Sequence, residues 1–151
     1  MRVLVQRSLN SSVSVNNKIV GRIDKGLVLF VGFRNDDTLE DINYLVKKII
    51  NLRIFDDELG VMNKSLKDID GNILSISQFT LYANTKKGNR PSYIDSMNGN
   101  EAIKLYDIFN SELRKNNIKV ETGIFGSDMK VNILNDGPVT ILLESRNSNE
   151  K

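Results

Sequence analysis

The chain of 151 residues contains neither histidine nor cysteine. Without cysteine it can form no disulfide, no thiolate nucleophile and no cysteine-ligated zinc site. Without histidine it has neither a Ser-His-Asp triad nor an imidazole ligand for a metal. An enzyme of this composition must work with carboxylates, amines, hydroxyls, backbone groups or a group of its substrate, and we expect no metal and no other cofactor.

Long apolar runs are also missing, since no stretch approaches the roughly 20 residues that cross a bilayer. Residues 1–7 alternate like a strand and lack the apolar core and cleavage site of a signal peptide. The net charge of +2 is compatible with a nucleic-acid partner without indicating one. We therefore expect a cytoplasmic protein that does not associate with membranes.

Strand-like patterns outnumber helical ones along the chain. The strand patterns lie at 3–7, 13–15, 19–20, 26–33, 73–82, 120–125, 130–134 and 139–144, and Asn16-Asn17 is typical of a hairpin turn. The polar segment 35–38 supplies the N-cap of a first helix, where Ile42, Leu45, Val46 and Ile49 share one face. A second amphipathic helix is predicted at 101–116.

These elements predict an α+β fold, a curved sheet or partial barrel with two amphipathic helices packed outside it. The length suits one domain. The polar stretch from Ser145 onward has no periodicity and predicts a frayed end. We place the domain at residues 1–145 and a polar C-terminal tail at 146–151.

Two charged segments have a functional and a structural interpretation. The acidic residues 56–58 lack the ligand spacing of an EF-hand loop, which favours a solvated turn over a cation site. Lys86, Lys87 and Arg90 form a basic loop that would suit phosphates, although solvated basic loops are common. No Gly-rich phosphate-binding motif accompanies them.

Two further segments are unusual. In residues 75–82, hydroxyl and amide side chains alternate with apolar ones on both faces of the predicted strand, which indicates either a partly solvated sheet or a strand that opens into a site. In residues 135–140, Gly137 precedes Pro138, which is typical of a turn and also lets a ligand approach the backbone. The cis or trans state of that bond cannot be read from sequence.

Together, Ser77-Gln78-Phe79-Thr80-Leu81-Tyr82-Ala83 and Asn135-Asp136-Gly137-Pro138-Val139-Thr140 resemble the two signature motifs of D-aminoacyl-tRNA deacylases, also known as D-tyrosyl-tRNA deacylases. The similarity extends from Met1 to about Glu144 and includes 86–92 and 125–129. The family commonly has Asp where this chain has Asn84, and Ala where it has Ser127.

The resemblance implies a proofreading carboxylic ester hydrolase that releases a D-amino acid, or glycine, from the 3′-terminal ribose of tRNA. It implies a homodimer in which each subunit inserts a cis Gly137-Pro138 into the site of the other. Their carbonyl oxygens would hold the α-amino group and the Cα hydrogen, so that an L side chain clashes. Arg7 would brace this segment, with Asn135 and Thr140 in support.

For catalysis the resemblance indicates the segment Ser77-Gln78-Phe79-Thr80. Thr80 is one candidate nucleophile, but a nucleophilic hydroxyl needs a base and no histidine exists to serve. The family's second account uses the 2′-OH of the tRNA, with backbone amides near Phe79 and Thr80 polarising the ester, and we prefer it. The tRNA and its terminal adenosine would contact Phe79, Phe125, Met129, Lys86, Lys87 and Arg90.

Two alternatives stay open on the sequence. One is an editing module of the same fold that acts on a mischarged L-amino acid, against which the Gly-Pro motif argues. The other is a tRNA-binding protein without enzymatic activity, for which the basic loop around Lys86 is the best support.

Overall fold

The protein is described by a computed structural model that covers residues 1–146. These residues contain seven strands, two α-helices and one 3₁₀ helix. The strands are β1 (Arg2–Val15), β2 (Lys18–Gly32), β3 (Phe55–Asp56), β4 (Met62–Lys64), β5 (Asn72–Ser77), β6 (Val120–Thr122) and β7 (Lys130–Glu144). The helices are α1 (Leu39–Asn51), the 3₁₀ helix (Phe79–Tyr82) and α2 (Gly99–Arg114).

Five strands form an open mixed sheet in the order β6-β5-β2-β1-β7. β1 pairs with β2 and β7 in antiparallel fashion, whereas β5 is parallel to both β2 and β6. Asn16 and Asn17 connect β1 to β2 with φ angles of 49° and 63°, the left-handed geometry that two-residue hairpin turns require. The predicted α+β class, the hairpin and the two helices are confirmed.

The sheet buries apolar side chains on both of its faces. Leu27 and Leu29 on β2 belong to a large core with α1 and α2, and Val28 between them belongs to a second core on the opposite face. All three side chains are fully buried. Burial on both faces explains why the strand predicted at 26–33 has a continuous apolar run. Neither helix within residues 1–146 has the length and apolar character of a membrane span.

Several predicted strand boundaries are wrong: the patterns at 3–7 and 13–15 belong to one strand, β1, those at 19–20 and 26–33 belong to β2, and β6 ends at Thr122. Two further boundaries fall in the two motifs. β5 ends at Ser77, the last residue paired with β2, and residues 79–82 turn into the 3₁₀ helix, so the predicted alternation of faces stops there. The segments 130–134 and 139–144 form one strand, β7, because its pairing with β1 resumes at Thr140 after residues 136–139 leave the register. Both boundaries are set by neighbouring strands, which a local pattern does not contain.

The prediction of a frayed end from Ser145 is wrong for its first two residues. The Ser145 N–H donates to the Met1 carbonyl at 3.0 Å, and the Arg146 guanidinium contacts Asp36 and Asp41 at 2.7 and 2.8 Å. The Met1 α-amino group donates to the buried Asp37 at 2.6 Å in the same cluster. Residues 147–151 of the predicted tail lie outside the described residues.

Asp41 is the centre of this cluster and provides a test of it. Burial acts to raise the pKa of Asp41, but hydrogen bonds from Arg146, Ser145 and the Thr38 backbone outweigh it and hold the pKa below its usual value. A carboxylate with a lowered pKa stabilises the fold fully above its unfolded pKa near 4 and loses this contribution as the pH falls toward the folded value.

We expect Asp41→Asn to lower the free energy of unfolding by about 2 kcal/mol at pH 7, because it weakens several charge-assisted hydrogen bonds. The difference from the unsubstituted protein should shrink as the pH falls below about 4. Urea unfolding followed by circular dichroism measures both values. The exposed Asp107→Asn is the control, and a loss at Asp41 that stays constant down to pH 2 would contradict the pKa assignment.

Candidate active site

A pocket of about 490 Å³ opens where β2 and β5 end beside the N-terminus of α2. The loop between β6 and β7 forms its remaining wall. It is lined by Val31, Gly32, Phe33, Ile76, Ser77, Gln78, Phe79, Met97, Gly99, Ala102, Phe125, Gly126, Ser127, Met129 and Val131. No lining residue carries an ionisable side chain. Acid–base chemistry in this pocket would therefore have to come from the bound molecule, from water or from backbone groups.

The exit from β5 forms one wall and contains most of the predicted catalytic segment. The Gln78 N–H donates to the Val31 carbonyl at 2.8 Å and ends the pairing with β2. Phe79 then projects outward with 57% of its surface exposed. Tyr93 packs edge-on against its ring at 5.0 Å, and the Ser96 hydroxyl donates to its carbonyl at 3.0 Å. Sequence reasoning missed Tyr93 and Ser96, because only the fold brings them to Phe79.

The N–H groups of Phe79 and Thr80 stand at the start of the 3₁₀ helix. The first N–H groups of a helix have no acceptor inside it. Within residues 1–146 neither donates to a backbone or side-chain acceptor. Two adjacent backbone donors are therefore available beside the pocket, and they suit an oxygen that gains negative charge.

Thr80 does not line the pocket, unlike Ser77, Gln78 and Phe79. Its hydroxyl accepts a hydrogen bond from the Gln78 amide nitrogen. An amide is not a base in either of its orientations, so Gln78 cannot take a proton from the hydroxyl. Within residues 1–146, no carboxylate or amine forms a hydrogen bond with the Thr80 hydroxyl.

Phe125 and Met129, which the sequence predicts to contact the terminal adenosine, line the same pocket. The Phe125 ring lies tilted on the ring of Tyr106, with 5.8 Å between their centroids. The Tyr106 hydroxyl in turn donates to the buried Ser75 carbonyl at 2.7 Å. Burial raises the pKa of Tyr106, which favours the protonated phenol that donates this hydrogen bond.

Gly137 and Pro138 lie elsewhere on the molecule. They are exposed, joined by a cis peptide bond, and leave the register of β7 as a protruding tip, residues 136–139. They do not line the pocket of their own chain. The neighbouring β1 residue, Arg7, faces Leu27 of β2, four residues before the pocket residue Val31. Four residues of strand correspond to about 13 Å.

Arg7 lies beside this tip and is 8% exposed. Its Nε donates to the Asp136 carbonyl at 3.0 Å, and its Nη1 donates to the Ile54 carbonyl at 3.0 Å. The carboxylates of Asp56 and Asp136 lie within 3.3 and 3.5 Å of the guanidinium. The charge is thus compensated, and the residue before Gly137 is held against β1.

The Asn135 side chain makes a second set of hydrogen bonds at the base of the tip. We assign its nitrogen toward the carbonyls of Arg7 and Val139, 3.1 Å from each, because its oxygen then accepts from Thr140 and Gln6 at 2.9 and 3.1 Å. Asn135 and Thr140 were predicted in this role. Gln6 was not, since its side chain reaches Thr140 only through the pairing of β1 with β7.

Lys86, Lys87 and Arg90 are exposed on a loop that the backbone pair Asn84 and Ser92 closes, with N–H to O distances of 2.8 and 2.9 Å. They do not line the pocket. Tyr93, the residue after Ser92, contacts Phe79, so the loop is joined to the rim of the pocket.

Asp56 ends β3, and Asp57 and Glu58 lie in the connection to β4. Asp57 accepts the Leu59 and Val61 N–H groups, and Glu58 pairs with Lys64 at 2.6 Å. Within residues 1–146, no three carboxylates are arranged to hold a metal ion.

Comparison with known proteins relates the chain to one family. Residues 4–144 match the family model described as D-Tyr-tRNA(Tyr) deacylase. Proteins named D-aminoacyl-tRNA deacylase are 57% identical over 145 residues in Clostridium botulinum and 56% identical over 147 residues in Thermosipho melanesiensis. The alignments cover 96% and 97% of this chain, and 97% and 98% of the relatives.

Solved structures share the fold. One described as c-Myc DNA Unwinding Element Binding Protein aligns with a TM-score of 0.92 and 39% identity, over 97% of this chain and 100% of its own. A probable eukaryotic D-amino acid tRNA deacylase aligns with a TM-score of 0.81 and 22% identity, over 95% and 98%. With the match over residues 4–144 and relatives above 50% identity, the chain belongs to the D-aminoacyl-tRNA deacylase family.

Proposed function

We propose that this protein hydrolyses the ester bond between a D-amino acid, or glycine, and the 3′-terminal ribose of tRNA in the cytoplasm. The observation that carries the proposal is a pocket without ionisable side chains beside the free N–H groups of Phe79 and Thr80. Such a pocket fits a substrate that brings its own reactive hydroxyl. The family membership supplies the substrate class.

The two N–H groups act as an oxyanion site in this mechanism. They polarise the ester carbonyl and stabilise the negative charge that develops on its oxygen when water attacks. The 2′-OH of the terminal ribose activates the water, because no side chain that lines the pocket is ionisable and Asp136, the acid of the tip, is paired with Arg7 at 3.5 Å. The ester bond to the 3′-oxygen then breaks, and the 2′-OH passes the proton that the water loses to this leaving oxygen, so that the free amino acid and the tRNA are released.

The terminal adenosine has an apolar site in the same pocket. Phe79 offers an exposed aromatic face at one wall, and Phe125 and Met129 lie at the other. A base stacked on an aromatic side chain is bound without regard to its identity, at about 1–3 kcal/mol. The site therefore does not need to distinguish one base from another, which suits tRNA because its terminal nucleotide is always the same.

Chiral selection requires a second subunit. Gly137 and Pro138 are absent from the lining of their own pocket, yet they protrude on an exposed tip. β7 is an edge strand of the sheet, and Leu134 and Leu142 on it are 54% and 50% exposed. An open edge with exposed leucines favours association with a second copy of the chain. We propose a homodimer in which each tip enters the other pocket.

The tip carbonyls then hold the α-amino group and the Cα hydrogen of a D-aminoacyl ester. An L-amino acid would direct its side chain into them and is excluded, whereas glycine has no side chain to exclude. A wall against Cα does not grip the D side chain, so many D-amino acids are accepted. Specificity of this kind comes from a clash with the wrong substrate.

A comparison of enantiomers tests the activity. We expect the protein, treated with a chelator and dialysed, to release tyrosine from D-Tyr-tRNA and to leave L-Tyr-tRNA intact. Acid-gel or thin-layer analysis of labelled aminoacyl-tRNA measures both rates. Preferential hydrolysis of a mischarged L-aminoacyl-tRNA would indicate an editing module, and binding of tRNA without turnover would indicate a protein without enzymatic activity.

Thr80→Ala separates the two mechanisms. We expect the variant to keep kcat within about tenfold of the unsubstituted protein, because it loses one hydrogen bond with Gln78 and no catalytic group. Replacing the terminal adenosine of the substrate by 2′-deoxyadenosine should lower kcat by about 10²–10⁴-fold, the usual contribution of a general acid or base. A loss of about 10⁴-fold in a folded Thr80→Ala variant would restore Thr80 as the nucleophile.

Gly137→Val tests the tip. Gly137 has a φ of +127°, and a Cβ there would stand 3.0 Å from Arg7 Nη2 and from Val139 Cγ2, so valine displaces the tip. We expect kcat/KM on D-Tyr-tRNA to fall by about 100-fold or more. Gly60→Val is a matched control, since it places valine at a positive φ in open space. Full activity of a folded Gly137→Val dimer would exclude the tip from the site.

A further inference from the structure

The C-terminal half of α1 carries a basic surface that the proposed reaction does not use. Tyr44, Lys47, Lys48, Asn51, Leu52 and Arg53 line a depression of about 450 Å³, here named the α1 basic surface. Lys47, Lys48 and Arg53 are exposed. The depression is distinct from the pocket at the end of β5, because the two share no residue.

These three cations have no counter-ion within the described chain. Some exposed lysines are paired with carboxylates, such as Lys104 on α2 with Glu101 and Lys115 just after α2 with Glu112, whereas Lys86 and Lys87 have no salt bridge within residues 1–146 either. No carboxylate of residues 1–146 lies within 4.0 Å of Lys47, Lys48 or Arg53. A helix C-terminus accommodates lysines, but Arg53 lies beyond the helix. Lys48 lies over the Tyr44 ring at 5.8 Å, and the part of the chain that the structure describes leaves all three positive charges without a carboxylate partner.

The α1 basic surface is bonded to the tip. Arg53 precedes Ile54, whose carbonyl accepts from Arg7 Nη1 at 3.0 Å, and Arg7 Nε donates to the Asp136 carbonyl at 3.0 Å. One buried guanidinium therefore joins the residue after Arg53 to the residue before Gly137. The α1 basic surface therefore lies beside the tip, and it also lies beside any surface to which the tip binds.

The surface is remote from the pocket of its own chain. α1 begins seven residues after β2 ends beside the pocket and runs for 13 residues. A helix of this length spans about 20 Å. The far end of α1 lies beside the tip. Lys47 and Lys48 are near this end, and Arg53 follows it.

We infer that the α1 basic surface binds backbone phosphates of the tRNA acceptor end whose ester occupies the partner subunit's pocket. This inference rests on the proposed function, and in particular on the cross-subunit tip. In the proposed dimer, the tip of one subunit enters the pocket that holds the ester. The acceptor strand of the tRNA must therefore pass the rim of that pocket, beside the tip. Three uncompensated cations at that rim fit a polyanion, and their contribution is independent of base sequence.

Neutralising the three cations tests the inference. We expect Lys47→Gln/Lys48→Gln/Arg53→Gln to raise KM for D-Tyr-tRNA about tenfold at 0.1 M salt. The slope of log kcat/KM against log salt should flatten by about two units, since each lost phosphate contact removes roughly 0.7–0.9. Hydrolysis of D-tyrosyl-adenosine, which has no backbone phosphate, should not change.

Lys104→Gln/Lys115→Gln/Lys119→Gln is the matched control. It removes the same charge from exposed lysines on α2 and at the start of β6, and its KM and salt slope should stay close to those of the unsubstituted protein. If both triple variants change KM and the salt slope equally, the effect comes from net charge alone, and the inference is overturned. An unchanged salt slope in the α1 variant would overturn it as well.

Heterodimers show which site the surface serves. In a dimer with Gly137→Val in one subunit, the only intact tip enters the pocket of the substituted subunit. Adding the α1 triple substitution to the subunit with the intact tip should raise KM about tenfold, and adding it to the Gly137→Val subunit should have no effect. The reverse pattern would assign the surface to its own chain's pocket and overturn the inference.

The two levels of the hypothesis fail separately. If the Gly137→Val homodimer remains active, the cross-subunit tip is wrong and the basis of the inference is removed. If that homodimer is inactive while the α1 triple variant keeps its KM and salt slope, the proposed function stands and the inference alone is wrong. Purifying the heterodimers through two different affinity tags keeps the subunit composition known.

Discussion

The buried guanidinium of Arg7 is the interaction on which the arrangement of this molecule depends. A charge taken out of water is costly unless acceptors surround it, and Arg7 finds two carbonyl oxygens and two carboxylates. Those acceptors come from the turn after α1 and from the tip on β7, which are far apart in sequence. One side chain of β1 thereby holds an edge-strand protrusion and a helix terminus in a fixed relation. The proposed dimer site and the α1 basic surface both depend on this relation.

The division between sheet and tip follows from how β7 pairs. Its two flanking segments are in register with β1, so the four residues between them have to leave the sheet. The Asn135 amide then donates to the Arg7 carbonyl on β1 and to the Val139 carbonyl at the end of the tip. A protrusion held at its base in this way can present backbone carbonyls at a constant position. Discrimination by a wall against Cα requires such constancy, because a mobile wall would yield to an L side chain.

Local signals in the sequence were sufficient for much of the fold. The alternation at the start of β1, the spacing of Ile42, Leu45, Val46 and Ile49, and the Asn16-Asn17 turn each depend on neighbours in the chain, and each prediction is confirmed. What failed depends on remote partners. β5 ends where its hydrogen bonds to β2 end, and Arg146 is fixed by carboxylates more than 100 residues away. For the site, the motifs pointed to Ser77, Gln78 and Phe79, which line the pocket, whereas Gln6, Tyr93 and Ser96 came only from the fold.

The walls of the pocket contain two thioethers, Met97 and Met129. In a chain without cysteine or histidine, methionine sulfur is the softest and most oxidisable group, and these two lie where an apolar surface is needed. Oxidation to the sulfoxide would place a polar, chiral group in this apolar lining, and reduction by sulfoxide reductases would restore the thioether. The composition that removes the common catalytic side chains thus leaves the pocket sensitive to oxidants at its sulfur atoms.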